Sequence, residues 1–242
     1  MCHSGRVSYR VPQDVAVTLF DLDDTLTNHT AAASAAAWAW AQTIPHWPLD
    51  RQATLTRWFE LEDTYFPMWR DGRMTHGGQR RERARAFLPD SAGLSDDEAD
   101  EAFGDYLVHY AAHWQAFGDA ASAIDRAIAS GRKVGVLTNG YAPQQRRKLE
   151  FTGLARPQLV LLATSDLPAN KPSPACYQAA CRIMAADPAE VLMVGDDPVA
   201  DIQGALAAGL RAVQLVRSLD LVRPGSTVPG QPTITSLDDL EF

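Results

Sequence analysis

Residues Val15 to Thr27 read Val-Ala-Val-Thr-Leu-Phe-Asp-Leu-Asp-Asp-Thr-Leu-Thr, and no other stretch restricts the fold so tightly. The apolar, β-branched run from Val15 to Phe20 has the texture of a parallel strand buried on both faces. It stops abruptly at Asp21, Asp23 and Asp24. Three carboxylates this close repel one another, so a closed core would need a compensating cation to hold them ionised. In extended chain, Asp21 and Asp23 aim the same way. At the carboxyl end of a strand in an α/β sheet, that is the usual ligand crevice. A lone Asp-x-Asp is more often an acidic helix cap. Three further polar strand ends displace that reading here.

The first is Thr138-Asn139-Gly140, where a hydroxyl and backbone amides could hold an anion after the strand Lys133–Thr138. On its own it would be an ordinary strand-to-turn sequence. The second is Lys171, in Asn170-Lys171-Pro172-Ser173-Pro174, a cation set between an extended segment and a helix start. The third is Gly195-Asp196-Asp197-Pro198-Val199-Ala200-Asp201, which follows the strand Val191–Val194. Its glycine permits close backbone approach, and its oxygen donors suit a hard cation such as Mg²⁺.

From Asp119 onward, strands alternate with helices of about ten residues, which implies right-handed βαβ units and a parallel sheet covered on both faces. Helices are expected over Ala120–Ser130, Ala142–Phe151, Pro174–Ala186 and Ala200–Ala208, with further strands over Gln158–Thr164, Arg211–Val216 and Thr233–Thr235. The proline- and glycine-rich stretch Pro224–Pro232 reads as a connector. Between Asn28 and Phe117 the texture is helical throughout. Four helices are expected: an alanine-rich one over Ala31–Gln42, one opening at Pro48, one carrying Arg80, Arg81, Arg83 and Arg85, and one from Ser95 to about Phe117. All six tryptophans (38, 40, 47, 58, 69 and 114) fall in this block and read as its core. The expected architecture is therefore a doubly wound, Rossmann-like α/β core of residues 1–28 and 117–242, with an all-helical cap of residues 29–116 inserted after the first strand. Residues 1 to about 13 are expected to be a poorly ordered lead-in.

The four motifs, in order and spacing, resemble those of the haloacid dehalogenase superfamily: Asp21-Leu22-Asp23-Asp24-Thr25, the Thr138 strand end, Lys171 before a helix, and the acidic loop from Gly195 to Asp201. By position, the helical insert matches that family's subfamily I cap. The resemblance implies a Mg²⁺-dependent phosphatase in which Asp21 is the nucleophile, forming an aspartyl-phosphate, and Asp23 the general acid and base. It implies that Asp21, the main-chain carbonyl of Asp23 and Asp196 bind Mg²⁺, with Asp201 orienting them and Asp197 a weaker candidate for either role. Thr138 and the amide of Asn139 would hold the phosphate, and Lys171 would bridge it to Asp21. Ala200 stands where the family often has Asn.

Three activities fit these residues: phosphomonoester hydrolysis, sugar phosphomutase or 2-haloacid dehalogenase chemistry on the same scaffold, and non-enzymatic phospho-binding. Asp23 favours phosphoryl chemistry. Halide leaves without a proton, and the family's dehalogenases resemble this motif but lack the second acid. A small phosphorylated metabolite is the expected partner, with His46, Arg70 and Arg80 as cap contacts to it.

A net charge of −8 argues against a nucleic-acid polymer or an anionic membrane as partner. No window approaches a membrane span or a signal peptide. Three unpatterned cysteines, Cys2, Cys176 and Cys181, suit reduced thiols in a cytoplasm, and a monomer or homodimer is expected. Arg146, Arg147 and Lys148 read as a solvated face, as does the arginine run from Arg80 to Arg85. His109 and His113, four apart, read as ordinary helix surface rather than a metal pair.

Overall fold

The computed structural model describes residues 8–89, 93–217 and 227–242. Two compact units divide the chain, one formed by the segments Met1–Asn28 and Gln115–Phe242, the other by His29–Trp114.

The first unit is built on a six-stranded sheet. Its strands are β2 (Val17–Phe20), β3 (Lys133–Thr138), β4 (Leu159–Ala163), β5 (Val191–Gly195), β6 (Arg211–Leu215) and β7 (Thr233–Ile234), in the order β4-β3-β2-β5-β6-β7. Every pairing is parallel. From β2 the chain winds outward through β3 to β4, then returns to the other side of β2 and winds out through β5 to β7. The topological switch therefore lies beside β2, where α/β sheets open a crevice at the strand carboxyl ends. All four β2 residues are buried, and period-2 alternation sends them to opposite faces. Phe20 packs with Ile124, Val134, Val136 and Val194. Val17 and Leu19 pack with Leu137, Tyr177, Met193 and Ile202 on the other face. Helices α5 (Ala120–Ala129), α6 (Ala142–Phe151), α7 (Pro174–Met184) and the short α8 (Gly204–Ala207) connect the strands.

Three local expectations need correction. The lead-in is not uniformly loose: β1 (Tyr9–Arg10) pairs in parallel with β8 (Leu240–Glu241), and Val11 is buried with the sheet core. Residues 1–7, Cys2 among them, and residues 224–226 of the connector lie outside the described residues. The helix expected from Ala200 begins instead as a π-helical turn, Pro198–Gln203, with Pro198 in its first turn and Asp197 as its cap. In the helical unit, the fourth helix ends at Ala112 rather than near Phe117.

That unit comprises α1 (His29–Thr43), α2 (Arg51–Arg70), α3 (His76–Phe87) and α4 (Asp96–Ala112). The start of α4 is fixed by a reciprocal capping box between Ser95 and Glu98. Trp40 stacks on Phe87 at 4.9 Å between ring centroids, and Trp58 lies 4.1 Å from Tyr106. The arginine run is not all surface. Arg83 is buried, lies 4.3 Å over the Trp58 ring and donates to Glu62 at 2.8 Å. Arg81 reaches Asp100, and Arg85 reaches Glu82 and Asp96. Among the described residues, no helix is long and apolar enough to cross a membrane.

Leu19 is fully buried beneath the strand end, so Leu19→Ala is expected to cost about 2–5 kcal/mol, the usual range for a core leucine. Val108→Ala, at a residue 70% exposed, should stay within about 0.5 kcal/mol. Urea denaturation of the two variants checks both values.

Candidate active site

The sheet register brings the motifs together. Phe20 is level with Val136 of β3 and Val194 of β5, so Asp21 emerges between the ends of both neighbours. Its amide donates to the Val194 carbonyl at 2.8 Å. The strand geometry ends there, and Asp24 takes a left-handed conformation with φ of 60°. The turn closes through Asp24 N to Thr27 O at 2.7 Å.

Lys171 stands at the centre, its ammonium buried and 2.5 Å from Asp21 Oδ1 and 2.6 Å from Asp201 Oδ1. Asn139 holds the lysine backbone reciprocally: its amide nitrogen donates to the Lys171 carbonyl at 3.0 Å, and its oxygen accepts from Lys171 N at 2.9 Å. Asp201 Oδ2 accepts from Asp197 N at 3.0 Å, so both oxygens of Asp201 are engaged. Gly195 makes this packing possible, because a Cβ there would lie 2.2 Å from Asp201 Oδ2. Asp196 Oδ1 accepts the Thr25 hydroxyl at 2.9 Å.

Carboxylate oxygens of Asp21, Asp196 and Asp201 all lie within 4.8 Å of one another. This all-oxygen, carboxylate-rich set fits a hard divalent cation such as Mg²⁺. Burial and mutual repulsion act on all three acids. Burial pushes Asp21 up to about 8, with Lys171 pulling the other way and Asp201 and Asp23 adding to the rise. Burial, then the charges of Asp201, Asp21 and Asp24, raises Asp196 well above the carboxylate range, and burial also raises Asp201. Burial alone would lower the Lys171 ammonium, but Asp201 and Asp21 outweigh it and hold it well above the usual lysine value.

Asp23 occupies its own pocket. Oδ1 accepts from Lys148 Nζ at 2.5 Å and from Thr27 Oγ1 at 3.2 Å, and Oδ2 accepts from Gln145 Nε2 at 2.9 Å. The same Gln145 nitrogen donates to Thr138 Oγ1 at 3.0 Å, so Asp23 and the β3 strand end share one donor.

Residues 15–209 match the haloacid dehalogenase-like hydrolase family. The chain belongs to that family. Among curated relatives, the phosphoserine phosphatase of Thermus thermophilus is 31% identical over 142 residues, covering 59% of this chain and 57% of that protein. Pyrimidine 5′-nucleotidase YjjG of Escherichia coli is 33% identical over 117 residues, covering 48% and 51%. Human N-acylneuraminate-9-phosphatase is 31% identical over 87 residues, covering 36% and 35%. The chain thus spans between about a third and somewhat over half of the length of these relatives. Of solved structures, the HAD hydrolase YfnB from Bacillus subtilis, bound to magnesium, aligns with a TM-score of 0.77 at 21% identity, over 93% of this chain and 96% of that one. A defluorinating L-2-haloacid dehalogenase, Rha0230, aligns at 0.74 and 19%, over 96% and 97%. At these identities the likeness is one of fold.

Within this haloacid dehalogenase-like core, Asp21, Lys171, Asp196 and Asp201 form one cluster, and Asp23 and Thr138 are joined through Gln145. Asp197, expected among the metal ligands, is exposed. Its carboxylate accepts from Val199 N and Ala200 N, both at 2.8 Å, as the cap of the π-turn. Lys148 is no part of a solvated face. It is 1% exposed, while Arg146 and Arg147 are exposed as expected. Spacing could have separated them, since Gln145 and Lys148 are three apart and share the face of α6 that also buries Leu149. His46, Arg70 and Arg80 belong to the helical unit: His46 is exposed with φ of 56°, Arg70 donates to Asp71, and Arg80 lies over Phe103. Thr25 and Gln145 escaped the sequence reading because their roles are visible only through partners distant in the chain.

The raised Asp21 carries a sign that can be tested. An acid whose folded pKa exceeds its unfolded value binds more protons in the native state, so its stabilising contribution is complete below about pH 4 and lost as pH rises through about 8. Metal-free protein should therefore lose thermal stability between about pH 5 and 8, and Asp21→Asn should flatten that slope. Melting temperatures across the pH range check it.

Proposed function

We propose that this chain is a Mg²⁺-dependent phosphomonoester hydrolase acting on a small phosphorylated metabolite through an aspartyl-phosphate on Asp21. The observation that carries the reading is the pairing of Asp21 with Lys171 beside a second acid, Asp23, which has a separate set of partners. The curated relatives are named for phosphoserine, nucleotide and N-acylneuraminate phosphates, and that supports a small phosphate ester as substrate.

Asp21, the main-chain carbonyl of Asp23 and Asp196 would hold Mg²⁺, with Asp201 keeping Lys171 in place behind them. The ion supplies positive charge that offsets repulsion between the phosphate dianion and the nucleophile. Asp21 attacks phosphorus and the P–O bond to the leaving group breaks. Lys171, Thr138 Oγ1 and the Asn139 amide hold the transferring oxygens. Asp23 gives its proton to the departing alkoxide, then takes one from the water that opens the acyl-phosphate. A dehalogenase would need no such proton donor, so a second acid with its own hydrogen-bond partners favours the hydrolase. By the same reading the helical unit is the substrate-selecting cap, with His46, Arg70 and Arg80 as its contacts.

Steady release of inorganic phosphate from small monoesters is expected in the presence of Mg²⁺. Asp21→Asn should abolish it, and Asp23→Ala should slow it by about 10²–10⁴-fold. Halide release from 2-haloacids without phosphate release from any ester would overturn the assignment, and a product that is only an isomeric phosphate would pass it to a mutase. All six tryptophans lie in the helical unit, so aluminium fluoride with Mg²⁺ is expected to shift tryptophan emission. Unchanged emission at saturation would count against the cap role.

A further inference from the structure

Two lysines are buried among the described residues, and the chemistry above uses only Lys171. Lys148 is the other. Its side chain is 1% exposed, whereas that of its partner Asp23 is 26% exposed. A lysine that has surrendered its hydration is tied to its counter-charge, while a carboxylate still touching water could be solvated in other orientations. The orientation of the pair is therefore set from the lysine side. Gln145, one turn earlier on α6, engages the other oxygen and spends the same donor on Thr138. Helix α6 thus holds Asp23 by both carboxylate oxygens and ties it to the strand end assigned to the phosphate.

We propose that Lys148 is a positioning residue for Asp23, fixing the carboxylate where it can serve the leaving oxygen, with Gln145 coupling that position to Thr138. The inference rests on the reading of Asp23 as general acid. Lys148 Nζ lies 2.5 Å from Asp23 Oδ1, so its effect on the reaction is expected to pass through Asp23. Proton delivery demands placement within hydrogen-bond reach of the accepting atom, and supporting residues supply such placement.

The test is a leaving-group series. kcat/KM reports the step that expels the alcohol, and a 4-nitrophenolate leaves without a proton whereas an alkoxide does not. In Asp23→Ala the loss should be large for alkyl phosphates and small for 4-nitrophenyl phosphate. Lys148→Met should show the same dependence, with about 10–10²-fold lost on alkyl esters, up to the lower bound of general acid catalysis. In the Asp23→Ala background, Lys148→Met should cost nothing further. A loss that is equal across the series, or that persists in that background, would show a merely structural role and overturn the proposal, as would no loss at all. If Lys148→Met does not fold, Lys148→Arg is read in the same series: a planar guanidinium shifts the donor and should steepen the dependence, and a slope equal to the parent's overturns the proposal. A flat loss in Asp23→Ala would instead fell the general-acid reading itself, and this proposal with it, through the Asp23 arm.

Discussion

One ammonium group, that of Lys171, stands among the acids crowded at the strand-end crevice. Lys171 Nζ sits between Asp21 and Asp201, within 2.6 Å of an oxygen of each. Removing one member of such a buried set leaves an uncompensated charge, at a cost of about 3–5 kcal/mol. Raised acids beside a raised lysine are what a crowded low-water cluster produces, since each proton that leaves an acid increases the demand on the same cation. A structure selected for stability alone would be better served by apolar side chains here. Such a costly arrangement at a strand-end crevice is a mark of a functional site.

Much of the surrounding packing follows from where that ammonium must stand. The Asn139 side chain clamps the lysine backbone on the β3 side. Gly195 leaves room for Asp201, and Gly204 does the same for Tyr177 and Pro172, since a Cβ at Gly204 would fall 2.5 Å from the Tyr177 hydroxyl. Tyr177 in turn donates to the Ala200 carbonyl inside the π-turn. That turn carries Asp201 inward while Asp197 closes its first turn on the outside, so two neighbouring acids of one motif serve opposite ends of one local problem.

The sheet and the acidic cluster were legible from residues alone because they depend on short-range rules. An apolar β-branched run reads as buried strand, a glycine before acids reads as close approach, and alternation of strands and helices restricts the topology. What escaped was a set of roles that depend on distant partners. Thr25 is an unremarked member of its motif until its hydroxyl meets Asp196, 171 residues away. Lys148 stands in a basic run beside Arg146 and Arg147, and although its spacing from Gln145 puts it on the buried face of α6, nothing local shows that it meets Asp23, 125 residues away. Arg83 misleads in the same way, because composition assigns arginine to the surface while Glu62 and the Trp58 ring make burial tolerable. The first strand was missed because two residues are too few for a period, and its partner β8 lies at the far end of the chain.

Seen as chemistry, the core sets its two motif carboxylates against different lysines. Asp21 answers to Lys171, carried from the segment before α7, and Asp23 to Lys148, carried on α6. A single shared cation would draw the two acids together, and neither could then be tuned without the other. With separate partners, one acid can be presented to phosphorus while the other is offered to the leaving oxygen. The two elements that bring the lysines are joined by Asn139 on one side and Gln145 with Thr138 on the other, so the nucleophile and the second acid are set against the same strand end. That common reference, the carboxyl end of β3, lets two residues only two positions apart in sequence hold different places and, in the proposed reaction, take different parts.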